Sequence, residues 1–370
     1  MSKDYTYTFL VASSNTITIF RFTDPQADPT SEDPKGSRLK VPGIPNWIEK
    51  HPTHEFVFVS LDDGEDGKIA AIEFDQTGRD EKVVAKASTL GENPRQFWVG
   101  EDQIVIPNSA GPKGHELAQI LFSPNDPFFG YAENPLISLP PIQDGTRQIK
   151  QVYQPIYRPK SDPETLELLV PDHGTDQIYR LYFDVDNQKW VPRAGPPDKV
   201  GSGHILVHDS FLYLISEKRC DLRIYEIDPV RITWRRTIPF PSGRVVRPTG
   251  AIRPKQNPHS TAEETWILVP YQSQSDCPLG DDTIAIFTTH PSSTAVGGVR
   301  PGLGNITSLR FSKDGKYLAV GGRDSVKIFE WIGKDVDEDK VKNKWLKEVK
   351  SIEIKNPTAL LWFDLNAVTY

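Results

Sequence analysis

Short runs of apolar and β-branched residues, bounded by Pro, Gly, Asp or Asn, recur along the whole chain. Glu55–Ser60, Lys68–Phe74, Gln103–Pro107, Leu117–Phe122, Phe211–Ile215, Thr283–Phe287 and Val326–Trp331 are examples. Such runs read as strands, because branched and aromatic side chains fit a pleated, half-buried surface. Windows with apolar residues at i, i+3, i+4 and i+7 are few. The 32 prolines agree, since proline suits loops and short strands and breaks long helices.

The strands group into a repeat of roughly fifty residues, the period of a propeller blade. Units run from Trp47 to Ala87, Pro94 to Leu139, Gln151 to Val191, His204 to Arg236, Pro248 to Val296 and Ile306 to Val349. The chain opens on Tyr7–Ala12 and Thr16–Phe20, which look like second and third strands with no first. It closes on Ala359–Asp364, a first strand with no successors. Pairing these ends makes a seventh blade and removes two unpaired sheet edges. The expected fold is therefore all-β, one seven-bladed β-propeller over residues 1–370.

Composition narrows the setting. A chain of 370 residues, 37% of them hydrophobic, can bury a large core without staples. Its two cysteines, Cys220 and Cys277, make neither a disulfide framework nor a ligand-spaced cluster. The first residues lack the basic and apolar regions of a signal peptide, and no run is long enough to cross a membrane. A cytoplasmic monomer is expected. The net charge of −7 speaks against nucleic acid or an anionic membrane as partner, while leaving room for a small anionic molecule on a local basic patch.

Common enzyme signatures are missing: no GxSxG elbow, no Walker loop and no HExxH occurs. Gly302 and Gly304 lack the third glycine and helix of a dinucleotide site. The acidic run Asp62–Gly67 imitates a calcium loop but reads as a hairpin turn, because strands flank it. His204 and His208, i and i+4 on a strand, stand about 13 Å apart and cannot share a metal. His51 and His54 read as an exposed turn. The lysine- and acid-rich stretch 334–350 reads as a solvated connection. No metal and no cofactor is expected.

Propeller geometry supplies the candidate site. Innermost strands line the central channel, and the residues that open them, together with the ends of the second strands, ring its mouth. Trp47, Arg95, Tyr153, His204, Arg247, Asp172, His173, Glu217, Tyr271 and Arg323 fall at such places. Polar, aromatic and charged groups converging on one concavity are what a ligand pocket requires.

Five phrases resemble the seven-bladed lactonase family, which includes bacterial 6-phosphogluconolactonase-type propellers and the fungal carboxy-cis,cis-muconate cyclase. They are Gly91–Arg95, Val170–Asp176, Leu212–Glu217, Phe311–Leu318 and Leu361–Asp364. The resemblance implies opening or closing of a lactone on a small organic acid or sugar lactone. Such chemistry asks for a cation to hold the substrate's carboxylate and a carboxyl or imidazole to move a proton. Glu217 occupies the place of the family's acid, and Arg95 keeps a family position. Tyr153 and Tyr271 stand where the cyclase has a histidine and an arginine, and Gly201–His204 replaces its Gly-Pro-Arg phrase. On this reading Glu217 and His204 act catalytically, while Arg95, Arg247 or Arg323 hold the anion, with Tyr153, Tyr271, Trp47, His173 and Asp172 around it. Two alternatives stay open: a non-catalytic interaction propeller, suggested by the WD-like run Ile306–Trp331, and a carbohydrate or metabolite binder using Trp47 and Tyr271.

Overall fold

The computed structural model describes residues 7–22, 36–64, 66–74, 81–110, 117–123, 128–141, 148–152, 167–194, 198–201, 203–216, 219–228, 230–240, 249–253, 265–272, 282–289, 294–333 and 345–363. Among them every regular element is a strand, and the strands form seven antiparallel sheets. No helix among them is long and apolar enough to cross a membrane.

Blade one is regular: Ile44–Lys50, Phe56–Asp62, Lys68–Phe74 and Glu81–Ser88 pair in that order from the axis outward. Blades four, five and six begin with His204–His208, Ala251–Ile252 and Ser308–Phe311 as their inner strands. Blade seven closes the ring as the pattern predicts. Pro357–Phe363 pairs antiparallel with Tyr7–Ser13, Leu361 opposite Leu10, and Thr16–Phe22 and Ser37–Lys40 complete the sheet.

Packing closes the same circle. A middle strand such as Thr16–Phe22 puts Ile17 and Ile19 toward blade one, against Val57, Val59 and Ile72. Its opposite face puts Phe20 toward blade six, against Tyr317, Ala319 and Ile328. Because both faces of each sheet are covered, the strands read as near-continuous apolar runs. Seven such apolar clusters lie between successive blades, one at each junction around the ring.

Two features differ from the expected pattern. Blade three has no regular inner strand among the described residues; Ile149 and Gln151 make isolated bridges to Asp172 and Gln96 instead. The Gln151 amide then substitutes for a strand: its Nε2 donates to Ile205 O at 3.0 Å, and its Oε1 accepts from Ile205 N at 3.1 Å. The second difference is His51, read above as exposed and in fact fully buried. Its Nδ1 accepts the backbone N–H groups of Thr53 and His54, and its Nε2 donates to Glu101 O at 2.9 Å. The ring also meets Phe122 edge-on at 5.3 Å. A polar residue after a strand suits the surface, but satisfied hydrogen bonds make its burial cheap. The Asp62–Gly67 run joins two antiparallel strands, as a hairpin connection would, and Gly64 N is bonded to Asp62 Oδ1 at 3.0 Å.

Candidate functional site

His204 opens the inner strand of blade four, and local geometry holds it there. A side chain on Gly203 would come within 2.1 Å of Ile215 O, so glycine lets the entering chain touch the second strand. The next residue, Ile205, has both its backbone groups gripped by Gln151. Between these two constraints the imidazole faces a channel cavity of about 360 Å³, lined also by Trp47, Gln96, Thr249, Ser308 and Arg310. That volume lies in the range of small-molecule pockets.

Burial, helped by the charges of His173 and Arg310, pushes the His204 imidazole down to about 3. The ring is therefore neutral at ordinary pH. It makes no hydrogen bond among the described residues, although it remains partly open to the cavity.

Arg310 was not singled out by the sequence. It projects from the inner strand of blade six across to blade one, where it bonds Glu49 at 3.0 Å. Its guanidinium lies 4.9 Å from the centre of the Trp47 ring, and the Trp47 indole donates to Glu49 at 3.3 Å. Trp362 donates to the Arg310 carbonyl at 3.0 Å. The available signal was a charged residue inside the short apolar run Ser308–Phe311, a strand that otherwise needs none.

The remaining candidates separate. Trp47 and His204 line one cavity, and His173 lies close enough to act on His204 electrostatically. Asp172 is buried and serves the turn after its strand: its Oδ1 accepts from Gln148 N at 2.7 Å and Gly174 N at 3.0 Å. Tyr271 packs between blades four and five, its ring stacked on Phe240 at 5.7 Å. Arg323 is exposed in a loop whose backbone is tied to Gly304 and Asn356. Arg95 sits between blades one and two with Nε 3.3 Å from Ser109, its pKa lowered by burial against the pull of Asp62. Glu217, Tyr153 and Arg247 lie outside the described residues. Among the described residues no three His, Cys, Asp or Glu side chains are placed to hold a metal ion.

No family model and no curated protein matches the sequence. Solved structures do match across almost the whole chain. A candidate 6-phosphogluconolactonase from Bacteroides fragilis superposes with a TM-score of 0.72 at 20% identity, covering 98% of this chain and 99% of that one. A second, from Bacteroides uniformis, gives 0.69 at 16% identity over 98% and 100%. The periplasmic gluconolactonase of Pseudomonas aeruginosa gives 0.67 at 15% over 96% and 99%. The chain shares their fold. The channel cavity is framed by blades one, two, four, five and six.

Proposed function

We propose that the channel cavity opens, and in reverse closes, the ring of a lactone carried on a small anionic organic acid or sugar acid. One observation carries this reading: a desolvated, neutral imidazole, His204, faces a ligand-sized cavity beside a guanidinium. The likeness to structures named as gluconolactonases supports the same class of substrate.

In the ring-opening direction a water attacks the lactone carbonyl, and His204 takes the proton that the water loses. The acyl C–O bond then breaks, and the ring oxygen recovers a proton to become a hydroxyl. Arg310 holds the substrate's carboxylate or phosphate. A base with a pKa near 3 is weak, but part of that depression comes from the Arg310 charge. An anion seated on Arg310 cancels that charge, and an anion near the ring favours imidazolium, so substrate raises the basicity of His204 when it is needed. Glu217, the family's acid, is the second proton-carrying group of the proposal.

The test is proton release from phosphorylated and plain aldonolactones and from muconolactones, with the parent, His204→Ala and Glu217→Gln. The expected result is turnover of at least one lactone, reduced about a hundredfold by His204→Ala. Background rates for every lactone, or a His204→Ala variant as fast as the parent, would overturn the reading.

A further inference from the structure

Polar side chains along the innermost strands divide into two groups. The first group ties one blade to the next. Asn46 Nδ2 of blade one donates to Pro94 O of blade two at 2.9 Å, and Gln151 of blade three holds both backbone groups of Ile205. Thr307 Oγ1, just before the inner strand of blade six, donates to Pro357 O of blade seven at 2.7 Å. Thr358 Oγ1 of blade seven donates in turn to Pro45 O of blade one. These bonds form part of a belt around the channel and belong to the closure of the ring.

The second group lies among the first and takes no part in the belt. Gln96, His204, Thr249 and Ser308 line the channel cavity, and none of their side chains has a hydrogen-bond partner among the described residues. Their backbones are held all the same: Gln96 O accepts from Val152 N at 3.0 Å, and Ser308 pairs with Gly321 in its sheet. Ser308 makes the contrast plainest. Successive side chains of an extended chain turn to opposite sides, so Thr307 is bonded into the belt while Ser308 faces the cavity. Ser308 is only 3% exposed, and a polar group so deep normally comes with its partner.

Serine and threonine hydroxyls and the glutamine amide are neutral groups that both donate and accept. Alcohol groups on a ligand have the same double capacity and bring no charge, so they match this set. A ring of equal size without hydroxyls would displace solvent from the same groups and leave them unpaired. That penalty, more than any added attraction, is what lets a hydrogen-bonding pocket reject an analogue.

We propose that Ser308, Gln96 and Thr249 are specificity-determining residues of the channel cavity, selecting a ring with several hydroxyl groups over a matched ring with none. The proposal rests on the reading above in one respect, the seating of the ligand's anionic group on Arg310. Arg310 answers the charge, and the three neutral groups answer the rest of the ring.

The experiment is calorimetric titration with quinate and with cyclohexanecarboxylate, its counterpart without hydroxyls. Ring and charge are the same in both, and neither acid is a lactone. Quinate is expected to bind about tenfold tighter. Ser308→Ala and Gln96→Leu are each expected to weaken quinate about fivefold and to leave cyclohexanecarboxylate unchanged or tighter. Far-ultraviolet circular dichroism of both variants confirms that the ring still forms, and Ser308→Ala removes a single oxygen. Equal affinity for the two acids, a quinate preference that survives both substitutions, or no saturation at millimolar quinate would each overturn the proposal. If the preference holds while every lactone stays at background, ring opening fails and the selection stands. Lactone turnover with equal affinities for the two acids sinks the selection alone.

Discussion

His51 and His204 are two imidazoles whose pKa is lowered chiefly by burial. At His51 both ring nitrogens are spent on backbone groups, and the ring is wedged beside Phe122. At His204 the desolvation is as evident, yet the nitrogens find no partner among the described residues and the ring opens onto a cavity. A buried polar group normally comes with its hydrogen bonds. The one that satisfies its own needs belongs to the architecture; the one that leaves them for a water or a substrate belongs to the chemistry.

The sharpest break of that contrast is His51→Ala. Losing a buried ring and three polar contacts is expected to cost about 3 kcal/mol of stability, read by denaturant melts, with turnover per folded molecule unchanged. His204→Ala should invert this pattern, with stability nearly kept and lactone turnover down about a hundredfold, or about 2.7 kcal/mol in barrier. If both variants fail in the same way, the distinction is wrong.

Acid is the next probe. The folded pKa of His204 lies below the ordinary histidine value of 6.5, so the unfolded chain binds its proton first. Stability is therefore fully present above about 6.5 and falls as pH drops toward 3, with a slope of up to about 1.4 kcal/mol per pH unit for one proton. His204→Leu should remove one proton's worth of that slope. His51 is lowered in the same direction, chiefly by burial, and should leave its own share in the His204 variant. The kinetic counterpart is that kcat/KM, which reports the free protein, shows no inflection near 6.5 from His204, whereas kcat inflects at a higher pH than kcat/KM does. The smallest effect concerns Glu49. Glu49→Gln frees Arg310 from a half-exposed ion pair worth about 1 kcal/mol or less, so KM for an anionic lactone should fall a few-fold.

Why the fold was legible and the site less so follows from particular residues. Strands such as Phe56–Asp62 and Lys68–Phe74 are apolar on both faces, and the orphan strands at the two ends had only each other to pair with. The site depends on which way single side chains turn. Tyr271 ends a second strand, as expected of a mouth residue, but its ring turns into the blade junction against Phe240. Arg310 carries no such mark in the sequence, because it lies within an inner strand and not at the residue that opens it. Gln151 looked like the start of a strand; its amide instead does a strand's hydrogen bonding for the neighbouring blade.

The union of Pro357–Phe363 with Tyr7–Ser13 also sets a timetable. Until the final strand is synthesised, the inward edge of Tyr7–Ser13 has no neighbour in its own sheet, and the sixth and first blades have nothing complete to press between them. The channel cavity draws on these same late-arriving neighbours, through Trp362 and the carbonyl it anchors on Arg310. A growing polypeptide can build most of the wheel, but it cannot hold a ligand at the hub before the last spoke is in place.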